Sequence, residues 1–260
     1  MLTVHDPSEN QLLARLNPDE QGRLVPHLEL SDMPLGSVLY ESGATLRQVY
    51  FPIDCIVSLL YVLADGASAE IAMVGNEGLI GIAVFMGGET TPSRAIVQSA
   101  GHAYRLAGQR LKDEFHRNGT LHELFLRYTQ ALITEMAQTA VCNRHHSLEQ
   151  QLCRWLLMSL DRLSSNKLSM TQELIADMLG VRREGVTGAA GKLQRLGIIH
   201  YQRGQITVLD RTKLEALCCE CYAVVKKEMD RLMPYVQRRA SASAAGSRAS
   251  AGRNSRSSVT

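Results

Sequence analysis

The hydrophobic pattern of the chain changes at Gly119. Before this residue, short runs rich in Val, Ile, Leu and Tyr are separated by turn signals about every 8 to 12 residues, which is typical of an antiparallel roll or barrel. One of them, Asp65-Gly66, predicts a tight hairpin, because such a turn needs positive φ. After Gly119, apolar residues recur three or four apart without Gly or Pro, which predicts a long helix. The chain is therefore expected to have an α+β fold with an N-terminal antiparallel β-roll.

Composition limits the class of protein. With 260 residues, 45% of them apolar and 21% charged, the chain is long enough for one large or two ordinary globular domains. Its N-terminal segment lacks a basic start followed by an apolar run, and no 18-residue apolar stretch occurs, so we expect a cytoplasmic protein with no membrane partner. The five arginines of residues 236–260 leave residues 1–235 with 23 basic and 26 acidic residues. Any nucleic-acid surface must therefore be a local patch.

The long helix, expected over 119–146, carries an apolar stripe that needs a partner. The stripe consists of Leu121, Leu124, Phe125, Tyr128, Leu132 and Met136. It could pack on the roll of its own chain or pair with the same helix of a second chain, and we favour pairing in a homodimer. The helix is expected to end near His146, because the capping-box pattern Ser147-Leu-Glu-Gln150 starts a new one.

A second unit follows over 147–235. Thr171 is the expected N-cap of a short helix that Gly180 ends in the left-handed conformation. Another helix is expected over 182–196, and Arg203-Gly204 joins two β-prone runs in a small hairpin. Helix, turn, helix and hairpin in this order predict a winged helix-turn-helix. The last residues, 236–260, are low-complexity Ser, Ala, Gly and Arg and predict a disordered basic tail.

The stretch VRREGVTGAAGKLQRLG, residues 181–197, admits two interpretations. A phosphate-binding loop needs four residues between its glycines and a hydroxyl residue after the lysine, but five residues separate Gly185 from Gly191, and Lys192 is followed by leucine. A helix would be amphipathic, with Gly188 and Gly191 on a polar face that either approaches another surface closely or is merely solvated. Its apolar face would consist of Val186, Ala189, Ala190, Leu193 and Leu196. We favour the helix and do not expect an enzyme.

The chain resembles the Crp/Fnr family of bacterial transcription regulators over about residues 15–225. The segment MTQELIADMLGVRREGVTGAAGKLQRLGIIHYQRGQITV is similar to the winged helix-turn-helix of that family. LGSVLYESGATLRQVYFPIDCIVSLL is similar to the opening of its cyclic-nucleotide-binding-like β-roll. The resemblance implies an effector-sensing roll over 1–118, a dimer formed through the long helix, and a palindromic DNA site read by two recognition helices.

In that family the recognition helix begins with an Arg-Glu pair that reaches base edges. The matching Arg183 and Glu184 are therefore predicted to contact guanine and cytosine. Gly185 replaces the usual hydroxyl residue, and Gly188 stands where the family places a second base-reading arginine. The predicted DNA contacts are Thr171, Gln172, Arg182, Arg183, Glu184, Thr187, Gly188, Lys192, Arg195 and Arg203.

The effector pocket of the family corresponds to Gly78, Gly81, Ser93 and Arg94. Nucleotide-binding members hold the ribose with a Gly-Glu pair and the cyclic phosphate with an Arg-Ser pair. Here isoleucine follows Gly81, and the order of the second pair is reversed. Cyclic AMP is therefore not expected, another cyclic nucleotide stays open, and no cofactor is predicted. The iron–sulfur members need an N-terminal cysteine group, and no cysteine precedes Cys55.

The cluster Cys218, Cys219 and Cys221 is interpreted as a half-buried helix face, because free cysteine packs as a small hydrophobe and no fourth ligand is evident nearby. Metal binding or redox sensing is the alternative. His145 and His146 are interpreted as a polar hinge, since adjacent residues on a helix point in different directions. No metal site is predicted.

These patterns together predict a homodimeric, sequence-specific DNA-binding regulator whose roll senses an unidentified signal. Double-stranded DNA and RNA polymerase are the expected partners. One alternative is an enzyme that binds nucleotide phosphate through residues 185–192. Another is a dimeric adaptor whose roll binds a small ligand and which makes no contact with DNA.

Overall fold

The structure, a computed structural model, describes residues 5–234, so the tail predicted over 236–260 lies outside the described residues. Besides four three-residue 3-10 helices, the described N-terminal part contains two short α-helices and a set of antiparallel strands. They are α1 Pro18–Leu24, β1 Glu29–Met33, β2 Val38–Tyr40, β3 Gln48–Pro52, β4 Ile56–Val62, β5 Ser68–Val74, β6 Arg94–Ser99, β7 Gly101–Ala107 and α2 Gly108–Phe115. The strands form two sheets, in the orders β1-β7-β3 and β2-β6-β4-β5. This arrangement, with the helices that follow, confirms the α+β fold and its antiparallel roll.

The two sheets enclose one apolar core. Phe51 of β3, Val57 of β4, Val74 of β5 and Leu106 of β7 are all buried in it. The predicted hairpin at Asp65-Gly66 is present, because β4 and β5 pair antiparallel and Gly66 has a φ of 87°. The alternation of apolar residues and turns therefore yields a roll of two sheets around an apolar core.

The long helix α3, Thr120–His145, lies against this roll. Leu121, Leu124, Phe125, Tyr128 and Leu132 belong to the core of the roll, and Met136 packs against that core. The prediction that these six residues form the dimer contact is wrong, because side chains packed into their own roll are not available to a second chain. The opposite face of α3 exposes large apolar side chains, namely Leu126, Ile133 and Val141.

The C-terminal part begins at Ser147, whose side chain accepts a hydrogen bond from the N–H of Gln150 and forms the predicted capping box. Its elements are α4 Leu148–Arg162, β8 Lys167–Ser169, α5 Gln172–Leu179, α6 Arg183–Arg195, β9 Ile199–Gln202, β10 Gln205–Val208, α7 Arg211–Leu217 and α8 Glu220–Leu232. The strands form a sheet in the order β8-β10-β9, and α8 returns to pack along α3. Within residues 5–234, no helix is long and apolar enough to cross a membrane.

The predicted hairpin after α6 is a tight turn. Arg203 and Gly204 have φ angles of 50° and 75°, and β9 and β10 pair antiparallel on either side of them. Two consecutive residues with positive φ match the right-handed twist of the flanking strands. The hairpin therefore projects as a small wing beside α5 and α6.

The roll and the C-terminal part share a packed contact. Ile56, Leu60 and Met73 of β4 and β5 lie in the same apolar core as Leu156 of α4 and Leu179 of α5. A core that continues from a sheet into two helices removes apolar surface of both parts from water. This contact fixes where the helix-turn-helix sits relative to the roll.

Buried charges cross the same contact. The Nε atom of Arg162 lies 2.7 Å from a carboxylate oxygen of Glu77, and another guanidinium nitrogen lies 3.0 Å from Glu135. Glu135 also accepts a hydrogen bond of 2.9 Å from the backbone N–H of Met73. Separating such a pair would leave an uncompensated buried charge, so these contacts hold α3, α4 and the β5 strand together.

Candidate nucleic-acid interface

The turn between α5 and α6 is built from local signals. The Thr171 side chain accepts a hydrogen bond of 3.2 Å from the N–H of Leu174 and caps α5. Gly180 ends α5 with a φ of 64°, and Arg182 is the N-cap of α6. Buried Val186 of α6 packs in the core that holds α5 in place. The two helices therefore stand at a fixed angle, with the start of α6 exposed.

Helix α6 has one buried and one exposed face, as its sequence predicts. Val186, Ala189, Ala190 and Leu193 are buried. Leu196, which was predicted to lie on the same apolar face, is 51% exposed, because α6 ends at Arg195 and Leu196 is only its C-cap. The exposed face consists of Arg183, Glu184, Thr187, Gly188, Lys192, Gln194 and Arg195.

The glycine-lysine stretch 185–192 is helical throughout. Its backbone N–H groups are therefore directed along the helix axis to carbonyls of the preceding turn, and they do not converge on an anion as in a phosphate-binding loop. The phosphate-binding alternative is not favoured by this geometry.

The glycines of α6 have different surroundings. A Cβ atom built at Gly188 would meet nothing within 4 Å, so the exposed face is bare backbone there. A Cβ atom built at Gly185 would lie 2.8 Å from Cδ2 of Leu148, at the start of α4. The absence of a side chain at Gly185 therefore has a packing reason within the chain, whereas at Gly188 it opens the surface.

One edge of α6 faces α5 and the wing. The Arg183 side chain is 63% exposed, with its Nε atom 3.9 Å from a carboxylate oxygen of Glu173. The hydroxyl of Thr187 donates a hydrogen bond of 2.7 Å to Gln172. An open depression brings several of the predicted residues together with others. Its lining is Thr171, Gln172, Glu173, Arg183, Tyr201, Arg203 and Gly204.

The other edge of α6 faces α4. The ammonium of Lys192 lies 3.4 Å from a carboxylate oxygen of Glu149, and the two side chains are 56% and 38% exposed. Exposed ion pairs of this kind are worth little, so Lys192 remains available to another anion. The predicted surface carries five basic side chains, at Arg182, Arg183, Lys192, Arg195 and Arg203. The acidic residues beside them are Glu149, Glu173 and Glu184, so basic side chains outnumber acidic ones in this patch, although they do not in the body of the chain.

Several residues of this surface were not predicted from the sequence. Glu173 faces Arg183, and Tyr201 closes the depression by donating its hydroxyl to the carbonyl of Met170 at 2.9 Å. Polar residues of the wing line a second open depression, namely Ser169, His200, Gln202, Arg203, Gln205 and Thr207. Alternation along the hairpin IHYQ-RG-QITV could have indicated them, since every second side chain of a strand points to the same face.

The two glycines predicted for an effector pocket approach their own chain closely. A side chain at Gly78 would overlap the ring of Tyr128 on α3. A Cβ atom at Gly81, which has a φ of 102°, would lie 3.1 Å from Val49. Both glycines therefore serve the packing of the roll, and their role in binding an effector stays a prediction.

The polar pair of that predicted pocket is also engaged within the chain. Ser93 is buried, and its hydroxyl lies 2.9 Å from that of Thr91. The guanidinium of Arg94 lies 3.2 Å from a carboxylate oxygen of Glu41. An anion at Arg94 would have to compete with this carboxylate.

Comparison with known proteins assigns the C-terminal part. Residues 150–217 match the family model of the Crp-like helix-turn-helix domain, and all ten predicted DNA contacts lie within this range. This segment is a Crp-like helix-turn-helix domain. The Crp-like match ends at the last residue of α7, so α8 lies beyond it. No curated protein matches the sequence of the chain.

Solved structures extend the likeness of the Crp-like domain to the roll. FixK2 from Bradyrhizobium japonicum is 17% identical, with a TM-score of 0.64, and the match covers 74% of this chain and 98% of that one. A CRP-family transcriptional regulator from Thermus thermophilus is 19% identical, with a TM-score of 0.60 and coverages of 72% and 95%. The c-di-GMP-responsive global regulator CLP of Xanthomonas campestris is 15% identical, with a TM-score of 0.57 and coverages of 74% and 99%. The chain therefore has the fold of a Crp/Fnr transcription regulator, with a helix-turn-helix DNA-binding domain.

Proposed function

We propose that the protein is a transcription regulator that binds double-stranded DNA as a homodimer and inserts α6 into the major groove. The observation that carries the proposal is the exposed face of α6 in a Crp-like domain. Arg183 and Glu184 stand at its first turn, and Gly188 exposes bare backbone behind them. An α-helix fits the major groove, where arginine suits guanine and a carboxylate suits the amino group of cytosine. A glycine at the centre of the face lets the helix approach the base edges more closely.

The remaining predicted contacts surround these two residues and are proposed to position them. Thr171 and Gln172 lie at the start of α5, where a polar side chain or N–H can meet a phosphate. Arg203 lies at the tip of the wing. Arg182, Thr187, Lys192 and Arg195 lie along α6. To bind DNA, Arg183 has to break only its exposed ion pair with Glu173, and breaking such a pair costs little free energy.

The dimer contact is proposed on the exposed face of α3, in place of the stripe predicted from the sequence. Exposed residues recur every seven positions along it, Leu126, Ile133 and Ala140 in one row and Gln130, Ala137 and Arg144 in the next. A repeat of seven keeps one seam facing a parallel partner helix. Ile133, near the middle of the seam, is 51% exposed in the single chain. A two-fold pair of this kind would place two α6 helices on the half-sites of a palindrome.

The roll is proposed to sense a signal and to bias the paired helices. Because five side chains of α3 belong to the core of the roll, a change in the packing of the roll moves α3 directly. Gly78, Gly81, Ser93 and Arg94 remain the proposed effector residues, without cyclic AMP as the ligand. Cyclic dinucleotides are worth testing, since the structurally similar regulator CLP is described as c-di-GMP responsive. RNA polymerase is the proposed partner, the cytoplasm the proposed location, and no enzymatic activity is proposed.

The test is selection of bound DNA from a random pool by the full-length protein, with and without cyclic mononucleotides and dinucleotides. We expect enrichment of a palindrome. Arg183→Ala should weaken binding to the selected site by about 1 to 3 kcal/mol and relax the preference at one base position in each half-site. Arg117→Ala is the matched control, because its side chain is 60% exposed and lies between α2 and α3, far along the chain from the Crp-like domain.

Enrichment of no palindrome under any condition would contradict sequence-specific recognition and favour the adaptor alternative. An unchanged base preference in Arg183→Ala would remove this residue from base recognition. Equal weakening by Arg117→Ala would show that loss of one surface charge, and not loss of a base contact, explains the effect.

A further inference from the structure

Four metal-ligating side chains converge where α8 begins and α3 ends. Cys142 and His146 lie one turn apart at the end of α3, and Cys219 and Cys221 lie at the start of α8. Their ligand atoms all lie within 4.8 Å of one another. The sequence does not indicate that these four residues meet, because Cys142 and Cys219 are 77 residues apart in the chain. The packing of α8 along α3 brings them together.

Two of the distances between ligand atoms are close to those around a single tetrahedral ion. The sulfurs of Cys142 and Cys219 are 3.6 Å apart, and the sulfur of Cys221 is 3.4 Å from Nδ1 of His146. Zinc bonds of about 2.3 Å to sulfur and about 2.1 Å to nitrogen give tetrahedral edges of about 3.8 Å and about 3.6 Å. A disulfide would need sulfurs about 2 Å apart. An iron–sulfur cluster would need ligands spread around several metal atoms.

The groups around these ligands orient them as in metal sites. Nε2 of His146 lies 3.4 Å from a carboxylate oxygen of Glu220, which leaves Nδ1 to face the thiols. A metal-bound histidine characteristically donates its other N–H to such a carboxylate. The side-chain N–H of Gln138 donates to the sulfur of Cys221 at 3.1 Å. Packing of small apolar groups would explain the buried thiols but neither of these two polar contacts.

The charge of a metal site would also be balanced. Three thiolates, one neutral imidazole and one divalent ion leave a net charge of −1. Arg154 is 6% exposed and donates a hydrogen bond of 2.8 Å to Thr139. Its Nε is buried and has no hydrogen-bond partner in the described part of the chain. Thr139 lies one turn before Cys142 on α3, so the guanidinium of Arg154 stands beside the site. Cys219 is in addition the N-cap of α8, where a helix favours negative charge.

We propose that Cys142, His146, Cys219 and Cys221 bind one zinc ion. Soft thiolates with one imidazole in a closed tetrahedral set are typical of structural zinc. The ion would join the start of α8 to the end of α3, directly before α4 begins, and so fix the residues that connect the long helix to the Crp-like domain. The proposal does not depend on DNA binding.

The experiment measures metal in the full-length protein, purified without chelators under reducing conditions, by inductively coupled plasma mass spectrometry. We expect about one zinc ion per chain. Cys219→Ser should lose the ion, while the matched control Cys218→Ser should keep it, because Cys218 neighbours the site but is not one of its ligands. Glu220→Gln should keep zinc but weaken its affinity about 10- to 100-fold, as measured by competition with a chromophoric chelator.

Wild-type protein provides the test if Cys219→Ser does not fold. After zinc removal, added cobalt(II) should give the absorption spectrum of tetrahedral thiolate coordination, and zinc should abolish it. Wild-type protein that contains no zinc and gives no such spectrum would overturn the proposal. Equal loss of zinc in Cys218→Ser, iron with acid-labile sulfide, or a Cys142–Cys219 disulfide without metal would each overturn it as well.

Discussion

Glu70 is a buried carboxyl at the contact between the roll and α4. Burial raises its pKa to about 8, and the charge of Glu135 acts in the same direction. Its carboxyl meets the hydroxyl of Ser58, which lies 2.7 Å from the side-chain oxygen of Gln98. The amide of Gln98 in turn donates to Ser159 of α4 at 3.2 Å. Ser58 has one hydroxyl proton for two contacts, one with the oxygen of Gln98 and one with the carboxyl of Glu70. If Ser58 donates to Gln98, the carboxyl of Glu70 must donate to Ser58, so the hydrogen-bond chain also favours a protonated Glu70.

The sign and size of the effect on stability follow from this pKa. An unfolded glutamate titrates at 4.5, so between pH 4.5 and about 8 the folded state keeps a proton that the unfolded state has lost. The free energy of unfolding therefore falls as pH rises through this window, by about 1.4 kcal/mol per pH unit. At pH 7 the loss is about 3 kcal/mol relative to pH 4.5. Glu70→Gln removes the titration, and its amide can still donate to Ser58.

The assay is urea unfolding of wild-type protein and Glu70→Gln between pH 5 and 8.5. We expect Glu70→Gln to be about as stable as wild type near pH 5 and more stable by about 3 kcal/mol near pH 7.5. Glu123→Gln, on an exposed part of α3, is the control and should follow the wild-type curve. Parallel curves for wild type and Glu70→Gln would refute the raised pKa and the protonated hydrogen-bond chain.

Two further predictions concern the exposed faces of α6 and α3. Gly188→Ala should raise the free energy of unfolding by about 0.5 to 1 kcal/mol. Gly185→Ala should raise it by less, because the added Cβ would displace the side chain of Leu148. Equal stabilisation of the two variants in thermal unfolding would contradict this prediction. Ile133→Asp should convert dimer to monomer in analytical ultracentrifugation, whereas Leu63→Asp, which alters a 64% exposed leucine of the roll, should not. A dimer that survives Ile133→Asp would exclude the proposed seam.

Much of the fold could be predicted because its signals are local. Gly180 ends α5 in the left-handed conformation, Ser147 caps α4, and Gly66 and Gly204 lie in the hairpin turns where their sequences place them. Each of these signals depends on residues only a few positions apart. The amphipathic pattern of α6 likewise predicted which of its side chains are exposed, except at its end, where the helix stops before Leu196.

The misplaced dimer contact has a different physical cause. Periodicity shows that α3 has an apolar face, but it does not show what covers that face. The roll covers the strongest stripe, around Phe125 and Tyr128, and leaves exposed a weaker one around Ile133 that was not predicted from the sequence. The proposed metal ligands were not predicted for a related reason, since Cys142 meets Cys219 only after α8 has packed on α3.

For the proposed transmission of a signal from the roll to DNA, the buried contacts restrict which motions are possible. A hinge motion between α3 and α4 would separate Arg162 from Glu77 or Glu135, and breaking such a buried pair costs about 3 to 5 kcal/mol. A ligand must supply that difference in affinity between the two states to drive the motion. Rearrangement along the exposed seam of α3 breaks no buried pair of this kind. Within the proposed dimer, the geometry therefore favours a change between the two α3 helices, with roll and Crp-like domain moving together, over a change at the residues that follow His146.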